Sequence, residues 1–295
     1  MPHANPGIHH VKVGEAVVTA LNDGQFDADT AWVTGLAAPE AEAMLRDSFR
    51  VLPPRITVSC FLVEIAGRRV MVDAGGGGAM GGLLGHAGAR LAAIGVDPKS
   101  IDTVLVTHAH VDHVNGLVTA DGAAVFANAE LVINAAETGF WLDKSVQAQA
   151  PESAQAYFGI AQRALAPYEK RMRLVKDGEE VLPGIAAVHL PGHTPGHTGW
   201  RLSSGRDTLL IWGDVVHLPG LQFARPEAGM AFDIDGDLGR ASRARALDMV
   251  ATDRLLLTGM HLDFPTFGHV RRAGTGYAFE PLVWAPTESG LFAQG

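Results

Sequence analysis

The stretch VTHAHVDHVNGL, residues 106 to 117, places His108, His110, Asp112 and His113 within six consecutive positions. Imidazole and carboxylate together are the ligand set preferred by zinc and its borderline neighbours, and histidines gathered without a cation would repel one another on protonation. Metal binding is the chemistry this pattern points to. In an extended segment residues two apart share a face, so the spacing predicts that His108, His110 and Asp112 point the same way, with a turn needed to bring in His113. Upstream, Ile101 to Val106 is mostly apolar and β-branched, which predicts a buried strand, and Val114 to Leu117 opens a helix or turn. The cluster therefore follows a strand end, where side chains of layered α/β proteins converge on a crevice.

The second half of the chain repeats the arrangement. LPGHTPGHTGW supplies His193 and His197, LLIWGDVVH supplies Asp214 and His217, and LLLTGMH supplies His261. The last two segments share the form of the first cluster, an apolar β-rich run ending in a ligand-type residue. One histidine after a strand is ordinarily a structural hydrogen-bonding residue, but several independent strands ending this way point to a shared site. The sole cysteine, Cys60, lies in the apolar run TVSCFLVEI, so no disulfide framework exists and a metal must be held by His, Asp or Glu.

The elements that must position these residues can be read from the pattern around them. EAVVTALNDG and TVSCFLVEIAGRRVMVDAGGGG read as strands, the latter a pair joined by a hairpin at Ala66 and Gly67. The glycine run Gly75 to Gly78 matches neither a P-loop nor a dinucleotide fingerprint and reads as a flexible loop beside a cleft; with Met80 and Leu83, the stretch to Gly85 would overhang the site. Ala87 to Gly95 reads as a helix, Ala129 to Asn134 as a strand, and Pro151 to Glu169 as one alanine-rich helix. Later, IAAVHL, TGWRL, DTLLIWGD and DRLLLTGMH read as strands, and a helix around Leu238 to Ala251 is preceded by Asp237 as its cap.

Composition bounds the rest. The chain has 295 residues, 47% of them hydrophobic, enough for a sizeable core, and no long linker breaks it, so residues 1–295 read as a single domain. A formal net charge of −9 argues against a nucleic-acid partner. The opening MPHANPGIHHVKV lacks the basic start and apolar stretch of a secretory leader, and no apolar run of about 18 residues exists, so the expectation is a cytoplasmic protein without a membrane partner.

The run THAHVDH, the later GHTPGHT, the GD after an apolar strand and the final GMH resemble the motifs of the metallo-β-lactamase-fold hydrolases, in order and across most of the chain. The resemblance implies an α/β fold, the four-layer αββα sandwich with two mixed sheets. MVDAG then supplies the first motif with Asp73, and His108, His110, Asp112 and His113 fill the second. His193 becomes the third-motif ligand, Asp214 the bridging carboxylate and His261 the last ligand, with His197 supporting them. The implied division sets His108, His110 and His193 on one metal and Asp112, His113 and His261 on the other, with Asp214 and a water or hydroxide between. Seven protein ligands exceed one tetrahedral zinc but suit two divalent ions about 3.5 to 4 Å apart. Zinc is the first expectation, and manganese, cobalt and iron are accepted by the same donors. The resemblance implies Asp112 and Asp214 as the catalytic carboxylates, Asp112 also accepting or relaying a proton.

Subfamilies separate on smaller features. The commonest class B β-lactamases carry a cysteine where Asp214 stands, and the tail after His261 is too short for the helical extension of glyoxalase II. Neither the flavin domain of flavodiiron proteins nor the arm of transfer-RNA nucleases is visible. FWLDK at Phe140 to Lys144, GDVVHLPGLQFARPE from Gly213 and GMHLDFPTFGHVRRAGTGYAFEPL from Gly259 resemble the methyl parathion hydrolase-like and lactonase group. That likeness implies Trp141 and Phe158 as walls of an aromatic substrate pocket, core packing being the competing reading, with His217 beside them. His217 stands near where acyl-homoserine lactonases carry a tyrosine. The implied activity is cleavage of organophosphotriesters, aryl esters or lactones by a bridging hydroxide, acting on a small molecule. The alternatives are an acyl-homoserine lactonase, a thioester hydrolase and a catalytically silent binding or regulatory member. A homodimer is implied by the resemblance alone. His9, His10, His86 and His189 read as structural or exposed, and His269 as a residue supporting the last ligand.

Overall fold

The computed structural model describes residues 6–78 and 80–285. Residues 1–5, 79 and 286–295 lie outside it, and with them part of the stretch read for a leader, one residue of the Gly75–Gly85 loop and the end of the tail after His261.

The first half of the chain forms β1 (Ile8–Val13), β2 (Ala16–Asp27), β3 (Val33–Thr34), β4 (Arg55–Ile65), β5 (Arg68–Val72), β6 (Thr103–Leu105), β7 (Glu130–Asn134) and β8 (Met172–Val175). The second forms β9 (Glu180–Leu182), β10 (Ile185–His189), β11 (Thr198–Ser204), β12 (Asp207–Ile211), β13 (Gly229–Met230), β14 (Leu256–Thr258), β15 (Gly268–Ala273) and β16 (Gly276–Pro281). One seven-stranded sheet runs β1-β2-β4-β5-β6-β7-β8, a second runs β16-β15-β14-β12-β11-β10-β9, and β3 pairs with β13 in a small ribbon. Both large sheets are mixed: β5 to β8 are parallel neighbours, as are β12 and β14, and the other neighbours in the two sheets are antiparallel.

The helices are α1 (Ala38–Asp47), α2 (Ala87–Ala93), α3 (Val111–Val114), α4 (Ala135–Trp141), α5 (Lys144–Gln149), α6 (Glu152–Leu165), α7 (Pro219–Gln222) and α8 (Gly236–Thr252). Strand alternation explains the layering. Along β4 and β5, Phe61, Val63, Val70 and Val72 face the second sheet's Ile185, Trp200, Leu202 and Ile211, while Cys60, Leu62 and Met71 face outward onto Leu91 of α2 and Phe158, Ala161 and Leu165 of α6. Strands buried on both faces read as the continuous apolar runs seen in the sequence. On the far side Leu210, Trp212 and Leu257 pack on Ala246, Leu247 and Val250 of α8. Two helical layers therefore enclose two sheets, the expected αββα sandwich.

The hairpin at Ala66 and Gly67 forms with positive φ at both residues (49° and 74°), the primed turn that matches strand twist. At the same end, the Gly14 and Glu15 amides of the β1–β2 turn donate to Asp207 Oδ2 and Ser204 Oγ of the second sheet, each at 2.9 Å. Several features differ from the sequence reading. The helix read through Glu169 stops at Leu165, because Pro167 has no N–H to continue the ladder, and the chain proceeds as a 3-10 turn over Ala166–Arg171. The cap of α8 is Asp235, whose carboxylate accepts the Leu238 amide, while Asp237 sits inside the first turn. The glycine-rich loop is pinned rather than free: Asp23 accepts from the Gly76, Gly85 and Ala87 amides at 2.8 to 2.9 Å. Among the described residues no helix is long and apolar enough to cross a membrane.

Candidate metal centre

The chain leaves β6 in extended form through His108 and His110 and then turns immediately into α3. His110 is the residue before the helix, so Asp112 and His113 lie on a helical turn. The expected common face of His108, His110 and Asp112 is thereby broken after His110, and the cluster is split into two pairs. His193 lies in the loop between β10 and β11, Asp214 and His217 follow β12, and His261 follows β14.

These ends meet. Ligand-capable atoms of His108, His110 and His193 lie within 4.8 Å of one another, as do those of Asp112, His113 and His261. Asp214 stands between the two groups: its Oδ2 is 3.5 Å from His108 Nε2, 3.3 Å from His113 Nε2, 3.3 Å from His193 Nε2 and 2.8 Å from His261 Nε2. His108 Nε2 is also 3.2 Å from both His110 Nδ1 and His193 Nε2.

The opposite ring nitrogens assign the tautomers. His261 Nδ1 donates to the Thr57 carbonyl at 2.7 Å, His193 Nδ1 to Asp233 Oδ1 at 2.8 Å and His113 Nδ1 to Asp73 Oδ2 at 2.8 Å. Thr107 gives its hydroxyl proton to Asp73, so it accepts from His108 Nδ1 at 3.0 Å. Four Nε2 lone pairs are thus aimed at one carboxylate oxygen. Acceptors facing an acceptor in a buried place are reconciled by positive charge between them, as protons on the imidazoles or as bound metal ions. His113 Nε2 and Asp214 Oδ1 are also buried with no hydrogen-bond partner among the described residues. Nitrogen and carboxylate donors with these orphaned atoms fit divalent metal ions such as zinc.

The charges follow the same demand. Burial presses the Asp214 carboxyl up, but His113 and His261 outweigh it and hold it well below the usual range. Burial presses His193 down, yet its bonds to Asp214 and Asp233 carry it up to about 9, and Asp214 with Asp112 raises His113 against its own burial. His108 and His110, where burial and neighbouring imidazoles act together, fall well below their ordinary value.

His197 stands behind the cluster. Its Nδ1 donates to the Leu190 carbonyl and its Nε2 accepts the Asp214 amide, both at 2.8 Å, and burial lowers it to about 3. Gly213 makes this approach possible, since at φ 64° a Cβ there would lie 2.4 Å from His197 Nε2. His217 Nε2 lies 3.1 Å from Asp214 Oδ2 and its ring stacks on His261 at 5.0 Å.

Trp141 and Phe158 do not wall a pocket. Both are 2% exposed within the core under the first sheet, Phe158 on the inward face of α6 and Trp141 donating its indole N–H to Glu137 at 2.7 Å with an edge toward His110. Helical spacing along α6 and the need to satisfy a buried indole place them there. His9, His10, His86 and His189 lie outside the cluster, and His269 is an exposed residue of β15 bonded to the Leu255 carbonyl.

Several working residues carried no local signal. Glu137, fully buried, accepts from the Ala109 and Gly196 amides, the Thr194 hydroxyl and Trp141, joining the loops that carry His108, His110 and His193; burial raises its carboxyl. A lone acid just past β7, another strand end, was its only trace in the sequence. Asp233 lies forty residues from His193, beyond any motif spacing. Trp32 and Phe232 were likewise not singled out. They are partly exposed, 38% and 37%, and Phe232 meets the rings of His193 at 5.9 Å and His217 at 5.1 Å.

The profile describing the Metallo-beta-lactamase superfamily matches residues 53–261. The chain is similar to the uncharacterized protein YobT of Bacillus subtilis strain 168, at 29% identity over 57% of this chain and 66% of that one. It spans between 35% and 66% of the length of the curated relatives it matches. Among solved structures it resembles the hydrolase AbOPH of the beta lactamase superfamily, with a TM-score of 0.91 and 29% identity over 96% of this chain and all of that one. It shares the fold of AidC, a dizinc quorum-quenching lactonase in complex with a product, with a TM-score of 0.88 and 24% identity over 95% of this chain and 99% of that one.

Proposed function

Since the chain belongs to the metallo-beta-lactamase superfamily, we propose that it is a hydrolase holding two divalent metal ions, zinc first among them, and that it cleaves small lactones and carboxylic esters. The observation that carries this reading is the convergence of four imidazole lone pairs on Asp214 Oδ2. His108, His110 and His193 would hold one ion, Asp112, His113 and His261 the other, with Asp214 shared. Bound divalent ions supply Lewis acidity that polarises a carbonyl oxygen and lowers the pKa of water. AidC, a lactonase of the same fold, favours lactones among the candidate substrates.

The chain's own residues set the terms of that chemistry. Asp214, with its side chain 2% exposed, is fixed by its backbone bond to His197 and would serve as a rigid ligand shared by both ions. Asp112, at 14%, is the more open carboxylate; burial pushes its carboxyl up, but His113 and His261 hold it below the usual range, so it stands deprotonated and able to accept a proton. Asp73 and Asp233 keep the Nδ1 atoms of His113 and His193 protonated and their Nε2 atoms free. All these residues serve one site from both sheets, which supports reading the chain as a single domain, and the net charge of −9 accords with a small-molecule substrate and no nucleic acid.

The test is elemental analysis of the purified protein, paired with hydrolysis rates for a lactone, a homoserine lactone, an aryl ester and a phosphotriester. Two metals per chain, with metal and rate both lost in Asp214→Ala, is the expected result, and the fastest substrate fixes the class. Full metal occupancy with no turnover of any of the four would move the chain to a binding role.

A further inference from the structure

We infer that Trp32 and Phe232 form the surface that receives the alkyl arm of the substrate and set its preferred length; this inference rests on the esterase and lactonase reading above. Scattered exposed apolar residues need no explanation, but two aromatic rings in contact with each other and with residues of a catalytic centre do. The rings of Trp32 and Phe232 lie 6.3 Å apart at 76°, and Phe232 in turn makes T-shaped contacts with His193 and His217. The line Trp32, Phe232, His193 therefore leads from solvent to the cluster.

Neither ring hangs on a loose loop. The ribbon of β3 and β13 pairs Val33 with Met230, and the Ala231 amide donates to the Trp32 carbonyl at 2.7 Å, setting Trp32 opposite the residue next to Phe232. Phe232 is followed directly by ties to the third-motif loop: Asp233 accepts from His193, and the Ile234 and Asp235 amides donate to the carbonyls of His193 and Gly192 at 3.0 and 2.8 Å. On the other side Asp29 caps the turn that carries Trp32. The aromatic corner is thus fixed relative to the catalytic centre, as a surface that measures substrate length must be.

The angle selects the occupant. Rings at 76° make a corner, not a parallel slot, so a flat group stacks on one of them alone, whereas a methylene chain lies along both. The expected ligand part is a flexible alkyl or acyl chain of several carbons.

The test measures kcat/KM of the metal-loaded enzyme for p-nitrophenyl esters from acetate to octanoate and for γ-alkyl lactones of matching lengths. The wild-type chain is expected to gain up to about fourfold per added methylene until the corner is covered, the fold-change that burying one methylene yields. Trp32→Ala and Phe232→Ala should each flatten this dependence, and the milder Trp32→Phe and Phe232→Leu should keep part of it, with metal content per chain as wild type in all four. A length dependence unchanged in the alanine variants at full metal content, or absent in the wild type while short esters are turned over, would overturn the assignment and leave the hydrolase reading standing. Failure of the wild type on every ester and lactone removes both.

Discussion

Asp233 accepts the Nδ1 proton of His193 at 2.8 Å across forty residues of chain, and the same carboxylate accepts the Met230 amide at 3.0 Å, so one side chain fixes a third-motif imidazole and the aromatic ribbon together. Removing an outer partner of a ligating histidine typically lowers metal affinity 10- to 100-fold. Asp233→Ala is expected to fall in that range in a metal titration against a competing chelator. An affinity equal to wild type would mean that His193 is oriented by its backbone alone.

Metal removal should act on stability as well as on rate. Cations that bind the folded chain and not the unfolded one stabilise it by about 4 kcal/mol at a thousandfold excess over Kd. Exhaustive chelation is therefore expected to abolish hydrolysis and lower the thermal midpoint, with both restored by adding zinc. A midpoint independent of metal concentration would contradict the assignment of the cluster.

Glu137 satisfies four donors from three segments. Each donor left buried and unpaired costs about 1 to 3 kcal/mol. Glu137→Ala should lose at least about 3 kcal/mol in urea unfolding, and metal content should fall with it, because Ala109 and Thr194 belong to the loops of His108, His110 and His193. Glu137→Gln replaces one acceptor with a donor and should lie between. A Glu137→Ala protein with wild-type stability would show that water replaces the carboxylate.

Cys60 is fully buried in β4, and burial, followed by the charges of Asp23 and Asp73, raises its thiol well above the ordinary value. A raised pKa leaves less thiolate at any given pH, so near pH 8, where an exposed cysteine reacts readily, the native chain should show no titratable thiol with an aromatic disulfide reagent. In denaturant the single cysteine should react in full. Rapid labelling of the native protein would be incompatible with this core.

What the sequence made legible was whatever is carried locally. His108, His110, Asp112 and His113 announce themselves within one turn of chain, and the strands that end at Asp214 and His261 are visible because a strand buried on both faces is apolar throughout. What stayed hidden depends on contacts between distant segments. Asp233 looks like an ordinary loop acid until the fold sets it against His193, and Glu137 like any helical carboxylate. Trp141 and Phe158 mislead in the opposite sense, since an aromatic ring near a site in sequence is as readily its foundation as its wall. The face shared by His108, His110 and Asp112 failed because α3 begins immediately after His110.

The two sheets are stitched together at one end by Gly14 and Glu15 on Asp207 and Ser204, while at the other end the loops of the first sheet bring His108, His110, Asp112 and His113 against His193, Asp214 and His261 from the second. The molecule is bound like a book with a spine at one end and, where the ligands meet, a clasp that cations would fasten. On the proposed reading, scarcity of metal would do more than silence a catalyst: it would remove a tie between the two covers, and the folded lifetime of the chain would follow the metal supply.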